Sequence, residues 1–420
     1  MTLPLEGLTV LDLSRLLPGG FCSLLLSDFG ADVIKVEEPG SGDYIRWAPP
    51  RYEGAQDSAA SALFMALNRG KRSVGINLRC EGGRRALLAL VRRADVLLES
   101  FRPGVMERLG VGWEVLSDAN PRLVYCAITG YGRHGPDSRR SGHDLNYLAR
   151  NGVLALAGEA GGPPVVPGVQ VADLGGGALM AAVGILVALR ERERSGRGQL
   201  VDCSMFDGSL SWLAMLAAEV LAGGRAPRRG EVGLAGRYCC YRPYECADGW
   251  VTLAALEPKF WRAFCEGVGR EDLIGGAFEP PGSPTHSQLA QIMRSRTREQ
   301  WQRFSSEHDC CLEPVLELDE ALESELVAAR EMVVELAQPG VASPVRLLGV
   351  PIKLSRTPGD PARGPAPALG EHTDEVLAAA GLSSAEIAAL HEQRAIGGPG
   401  EWGEAAGEGS QSRPEPFVSS

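Results

Sequence analysis

Residues 8–37, LTVLDLSRLLPGGFCSLLLSDFGADVIKVE, decide the fold. Residues 8–13 form a β-like run with little polar interruption. Residues 20–29 carry apolar side chains at helical spacing, and ADVIKVE is a second β-like run. The same alternation continues through SVGINL, EGGRRALLALVRRA, DVLLES and RLVYCAIT. Strands that alternate with helices predict an α/β fold with a mostly parallel sheet. Nearly continuous apolar strands are what such a sheet needs when helices cover both of its faces.

Outward from this core, VADLGGG leads into a long helical pattern over residues 178–194. It ends in RERERSGRG, a basic last turn followed by glycine. GQLVDCSM predicts another strand, and residues 206–221 another apolar helix. AGGRAPRRGEVG then breaks the pattern, and a different texture begins near Tyr238. YRPYECADGWVTLAAL predicts a hairpin turning at Ala-Asp-Gly, with polar-rich helices following to about Glu307. Later, VRLLGVPIKLS is strand-like and GEHTDEVLAAAGLSSAEIAALHEQRAI predicts two short helices, the second opening on a Ser383/Glu386 capping box. A chain of 420 residues is too long for one small core. The expected domains are 1–225 (large, α/β), 226–330 (small, α+β) and 331–396 (a return to the large domain), with 397–420 a disordered tail.

Apolar residues make up 44% and the formal net charge is −11, which argues against a nucleic-acid partner. The ten cysteines include no C-x-x-C pair and no zinc spacing, so no metal is expected, and the thiols read as small buried side chains in a reducing compartment. The start lacks the pattern of a secretory signal, and the end FVSS is not a peroxisomal signal. The apolar run over residues 178–189 is too short to span a bilayer. A cytoplasmic location without membrane association is expected.

No P-loop or G-x-G-x-x-G stands in a strand–turn–helix setting, so a nucleoside triphosphate or nicotinamide site has no support. Basic residues gather at Arg69, Lys71 and Arg72, at Arg102 and Arg108, and at Arg133, Arg139 and Arg140, each group near a strand end. Of only six histidines, His143 sits beside Asp144 at the head of a helical run, either as an ordinary polar start or as a proton-transfer group. Asp173 precedes three glycines and a long apolar helix. It is either an N-cap or a reactive carboxylate beside bare backbone N–H groups at Gly175–Gly177. Glu257, before Pro258, is either a helix-start carboxylate or a group that orients a histidine.

In order along the first 395 residues, LEGLTVLDLSRLLPGGFCSLLLSDFGADVIKVEEPG, SFRPGVMERLG, NPRLVYCAITGYGRHGP, GHDLNY, VADLGGG, GRGQLVDCSM, ECADGWVTLAALEPKFW and GEHTDEVLAAAG resemble the motifs of the class III CoA-transferase superfamily. Within it the chain is similar to the α-methylacyl-CoA racemases. The resemblance implies an open, Rossmann-like parallel sheet in a large domain built from both chain ends, a smaller α+β domain, and an interlocked homodimer. Transferases of this kind use the aspartate matching Asp173 as a nucleophile. Racemases keep it and add the residues matching His143, Asp144 and Glu257, all present here. The implied chemistry inverts the α-carbon of a 2-methylacyl-CoA: His143, held by Glu257, works on one face, and Asp173, partnered by Asp144, on the other. CoA, as part of the substrate and with no further cofactor, would contact the positions matching Ile76, Asn77, Leu78, Arg79, Ser100, Phe101, Arg102, Arg108, Gly142, Leu145, Asn146 and Tyr147. Two departures stand out. Glu38 replaces an arginine frequent in relatives, so either another arginine, such as Arg46 or Arg72, takes over its contact or CoA is held less tightly. AGRYCCYRPY replaces a Gly-Gly-Ala-Pro run, which leaves the acyl preference open.

Overall fold

A computed structural model describes residues 2–399. Six strands, β1 (Thr9–Asp12), β2 (Asp32–Glu37), β3 (Arg72–Gly75), β4 (Val96–Glu99), β5 (Val124–Thr129) and β6 (Leu200–Ser204), form one sheet. Every pairing is parallel, in the order β3-β2-β1-β4-β5-β6. Each residue of β4 and β5 is buried, which is why these strands read as unbroken apolar runs rather than alternating ones. The strand order reverses at β1, which pairs with β2 on one side and β4 on the other. A doubly wound sheet opens a crevice at the carboxyl ends of the strands at such a reversal.

The chain contacts divide into two units. The first holds the residues up to Asn151, Val169–Ser211, and the chain from Leu326 onward. Its late segment closes on β3. Val376 and Leu377 of the helix Thr373–Ala379, and Ile387 and Leu390 of Ser384–Glu392, join the core of β1–β5 and the helix Glu81–Val91. The Gly75 N–H donates to Thr373 Oγ1 at 3.0 Å. A Cβ on Gly75 would stand 1.8 Å from the Gly397 carbonyl oxygen, so only glycine admits this approach. Gly397 is therefore tied to the sheet edge, two residues before the description ends; residues 400–420 of the expected tail lie outside the described residues.

Two expected elements differ. The strand-like VRLLGVPIKLS gives β11 (Val345–Leu348), which pairs antiparallel with β10 (Val333–Leu336) in a separate ribbon. The long helix starts earlier than expected. It runs as a wide π-helical stretch, Val171–Leu179, into the α-helix Met180–Ser195. At 25 residues it is long and apolar enough to cross a membrane, which corrects the shorter run read from sequence, and half of its apolar window is buried. Ala181, Ile185 and Ala188 form its buried face, packed on β5 and β6.

The second unit comprises Gly152–Gly168 and Trp212–Glu325. The expected hairpin is present: β7 (Tyr241–Cys246) and β8 (Gly249–Ala254) pair antiparallel, and β9 (Leu312–Pro314) adds to β8. Trp261, Phe264, Trp301 and Phe304 form the aromatic centre of its core, with Cys239, Cys240, Cys265 and Cys310 fully buried among them. The AGRYCCYRPY departure thus includes two core thiols. All ten cysteines are free.

Candidate active site

A cleft of about 280 Å³ opens in the first unit at the carboxyl ends of β1 to β4. Leu13, Ser14 and Arg15 follow β1; Glu37 and Glu38 close β2; Ile76–Arg79 follow β3; and Phe101, Val105 and Leu109 follow β4. It lies where the reversal of strand order places a ligand crevice. Five of the expected CoA contacts, Ile76, Asn77, Leu78, Arg79 and Phe101, line it together. Ser100 is beside it, its Oγ accepting from the Arg15 N–H at 3.2 Å. Arg102 and Arg108 are exposed on the turn that carries Phe101 and Val105. Gly142, Leu145, Asn146 and Tyr147 lie further along, beyond β5.

The cleft floor is ionic and internally paired. Arg46, fully buried, clasps Glu37 through Nε–Oε1 at 2.8 Å and Nη2–Oε2 at 2.6 Å, and stacks 3.7 Å over the Phe64 ring. Its charge holds the Glu37 carboxyl down at about 2 against the opposing effect of burial. Lys35 pairs with Asp43 at 3.1 Å and Lys71 with Asp12 at 3.2 Å, all buried. Of the two arginines named to take over the contact at Glu38, Arg46 has no free face to offer a ligand, and Arg72 is engaged by Asp32 and Glu375. The whole first arginine cluster is structural, since Arg69 pairs with buried Asp28 at 2.8 Å.

His143 caps the helix Asp144–Arg150, its own N–H donating to Asn146 Oδ1 at 3.0 Å. The turn before it is shaped by Tyr147, whose hydroxyl donates to the Gly142 carbonyl at 2.5 Å. A Cβ on Gly130 or Gly142 would strike that ring at 2.6 or 2.8 Å. His143 is exposed. Asp144, one residue on, turns its Oδ1 onto the N–H groups of Ala172 and Asp173, at 2.6 and 3.0 Å. Two of the orphan amides of the Val171–Leu179 helix are thereby satisfied from outside the helix. Asp173 is not the N-cap; Gln170 holds that position and Asp144 supplies the capping carboxylate.

This arrangement places the backbone of Asp173 against the side chain next to His143. Among the described residues the Asp173 carboxyl makes no hydrogen bond. Burial, reinforced by the nearby Asp144 charge, pushes it up to about 7. The same carboxyl reaches its neighbours electrostatically. Burial first, and then the charges of Asp43 and Asp173, push the Tyr44 phenol up to about 12, with Arg15 opposing. Tyr147 is raised by burial and then by Asp173, with Arg102 opposing. Asp173 is therefore within electrostatic range of residues that also feel the cleft cation Arg15 and the turn cation Arg102.

The glycines after Asp173 have a packing role. Gly175, Gly176 and Gly177 are buried. A Cβ on Gly176 would lie 2.6 Å from the Met205 carbonyl oxygen and 2.7 Å from the Ser209 nitrogen. Gly176 and Gly177 let the helix Met205–Ser211 pack against this segment. Glu257 stands in the second unit, exposed at the N-terminus of the helix Pro258–Gly267.

Two residues not singled out from sequence, Arg15 and Tyr44, and one noted only as part of a basic cluster, Arg133, belong to the site's frame. Arg133 contacts Glu107 at 2.9 Å and Glu99 at 3.8 Å while its backbone N–H donates to Asp202, so it braces the turn bearing Arg102 and Arg108. Glu99 also accepts the Phe101 N–H at 2.6 Å. Among the described residues, no group of three or more His, Cys, Asp or Glu is placed to hold a metal ion.

The sequence model of CoA-transferase family III matches residues 5–373. The chain is 37% identical to the alpha-methylacyl-CoA racemase of Mus musculus, an alignment covering 93% of this chain and 97% of that protein. It is also 37% identical to the succinyl-CoA:mesaconate CoA-transferase of Haloarcula marismortui, covering 90% and 97%. A crystal structure of a CAIB/BAIF family protein from Brucella suis superposes with a TM-score of 0.79 at 30% identity, covering 90% of this chain and all of that one.

Proposed function

The chain belongs to CoA-transferase family III, and on that premise we propose that it is a racemase of 2-methylacyl-CoA thioesters. The observation that carries the reading is the state of Asp173: a carboxyl without a hydrogen-bond partner among the described residues, held near 7, beside the His143–Asp144 step. A group poised near neutrality serves as acid in one direction and base in the other. His143 removes the α-proton from one face, breaking the C–H bond and leaving an enolate. Protonated Asp173 then delivers a proton to the opposite face of the same carbon. In the reverse direction the Asp173 carboxylate abstracts and the imidazolium donates. Burial keeps the Asp173 carboxyl partly protonated, and Asp144, which holds the Asp173 backbone, adds like-charge repulsion. The CoA portion lies in the cleft at β1 to β4.

The proposal assigns Glu257 to orienting His143, acting from a second copy in an interlocked homodimer. Large exposed apolar side chains in each unit support burial against another copy. In the first, Val183 and Val187 are 57% and 62% exposed; in the second, Met215 and Leu221 are 79% and 86% exposed.

Similarity to the mesaconate transferase favours a second reading, CoA transfer through an acyl adduct on Asp173. A transferase nucleophile works ionised, so the raised Asp173 weighs against it. The two separate in deuterated water with one enantiomer of a 2-methylacyl-CoA and no acceptor acid. Racemisation washes deuterium into the α-position with loss of optical purity. A requirement for a second carboxylate, with an adduct trapped on Asp173, would instead establish transfer.

A further inference from the structure

We infer that Glu38 sets specificity at the cleft: its carboxylate holds Arg15 and Arg79 and competes for both with the phosphates of an incoming ligand. The inference rests on the thioester reading above, which puts a nucleotide-bearing substrate in this cleft.

Three carboxylates line the cleft, Glu37, Glu38 and Asp43. Two are already neutralised within the fold. Glu37 is clasped by Arg46, and Asp43 pairs with Lys35 while accepting the N–H groups of Leu16 and Ile45. Glu38 differs. Its side chain is 32% exposed, and its two oxygens reach different cations: Oε2 lies 3.5 Å from Arg15 Nη2 and Oε1 3.1 Å from Arg79 Nη1. Those arginine side chains are 43% and 75% exposed and are the cations that line the cleft.

The backbones of both arginines are fixed. The Arg15 N–H donates to Ser100 Oγ and the Arg79 N–H to Asn77 Oδ1 at 3.1 Å. The Arg15 guanidinium also lies 5.9 Å from the centre of the Phe101 ring. One carboxylate thus spans the two anion-binding groups of the cleft. A phosphate entering there must displace Glu38 from at least one of them and bear its repulsion afterwards. Exposed ion pairs are individually weak, so two of them hold the ligand back by about three- to tenfold in affinity rather than blocking it. The consequence is a site that discounts phosphate and takes relatively more of its affinity from the phosphate-free arm of the thioester.

The test uses the full chain and two probes: CoA, titrated calorimetrically, and a 2-methylacyl-pantetheine thioester that lacks the nucleotide. Glu38→Gln, with Glu38→Ala as a second variant, should bind CoA about three- to tenfold more tightly than wild type at low salt. The gain should shrink at about 0.5 M salt, where exposed charges are screened. KM for the pantetheine thioester should not move. Unchanged or weaker CoA binding in the variants would overturn the inference, as would an equal gain for the phosphate-free probe. If neither wild type nor variant binds CoA, the thioester reading falls and takes this inference with it. Equal binding by both removes the inference alone.

Discussion

Replacing Asp173 with Asn should stabilise the protein, and by an amount that depends on pH. The carboxyl of Asp173 is moved from 3.8 to about 7 by burial and by the Asp144 charge. In the unfolded chain it ionises near its ordinary value, whereas in the folded chain it keeps its proton until near neutrality. Between those values the folded state binds more protons, so stability falls as pH rises through the window and levels off above about 7. A shift of this size corresponds to about 4 kcal/mol. The side chain is only partly buried, so solvent reduces the measured figure, to about 2 kcal/mol. Asn cannot ionise, and no hydrogen bond to the Asp173 carboxyl is lost among the described residues. Wild type and D173N should therefore unfold at nearly the same denaturant concentration at about pH 4, with the variant pulling ahead as pH rises to about 8. Urea titrations across that range, followed by circular dichroism, measure the difference directly. A gap that does not change with pH, or one that favours wild type at high pH, would refute the electrostatic account of Asp173.

Asp144→Asn keeps an acceptor for the Ala172 and Asp173 amides but removes the like charge, so Asp173 should titrate lower; the limb of the pH–rate profile that it controls should move to lower pH, and an unmoved limb would contradict this. Arg46→Met strands the Glu37 carboxylate in a fully buried position and should cost about 3–5 kcal/mol in denaturant unfolding, whereas a cost below about 1 kcal/mol would show the pair to be dispensable. Gly176→Ala drives a methyl group to within 2.6 Å of the Met205 carbonyl oxygen and should lower stability by about 1–3 kcal/mol; a neutral result would mean that the two helices separate without loss.

The sheet was legible because its strands are buried on both faces, and burial leaves a continuous apolar mark in the sequence. The first helix was read as starting at Gly20 and starts at Leu16, because LLPGG looks like a turn. Pro18 is tolerated there, where the helix has no amide bond to lose. Gly19 is needed because the Ser14 side chain occupies the space of a Cβ. The candidate acid–base residues could be named from spacing and resemblance, but their physical relations could not. That Asp144 caps a helix beginning 27 residues later depends on how two segments meet, and adjacency in the chain does not encode it. A sequence also does not distinguish a bound arginine from a free one: Arg46 looks available until its partner Glu37, nine residues earlier, is seen to enclose it. Glu38 was noticed for what it replaces, and only the geometry shows which cations it holds.

The most direct test of the central claim, that His143 and Asp173 work on opposite faces of one carbon, is stereospecific exchange in deuterated water with each enantiomer offered separately. With one of the two groups removed, the other can still abstract and return a proton on its own face. H143A should therefore wash deuterium into one enantiomer only and D173N into the other, both without inversion. Exchange of both enantiomers by either variant, or inversion by either, would contradict the two-faced mechanism.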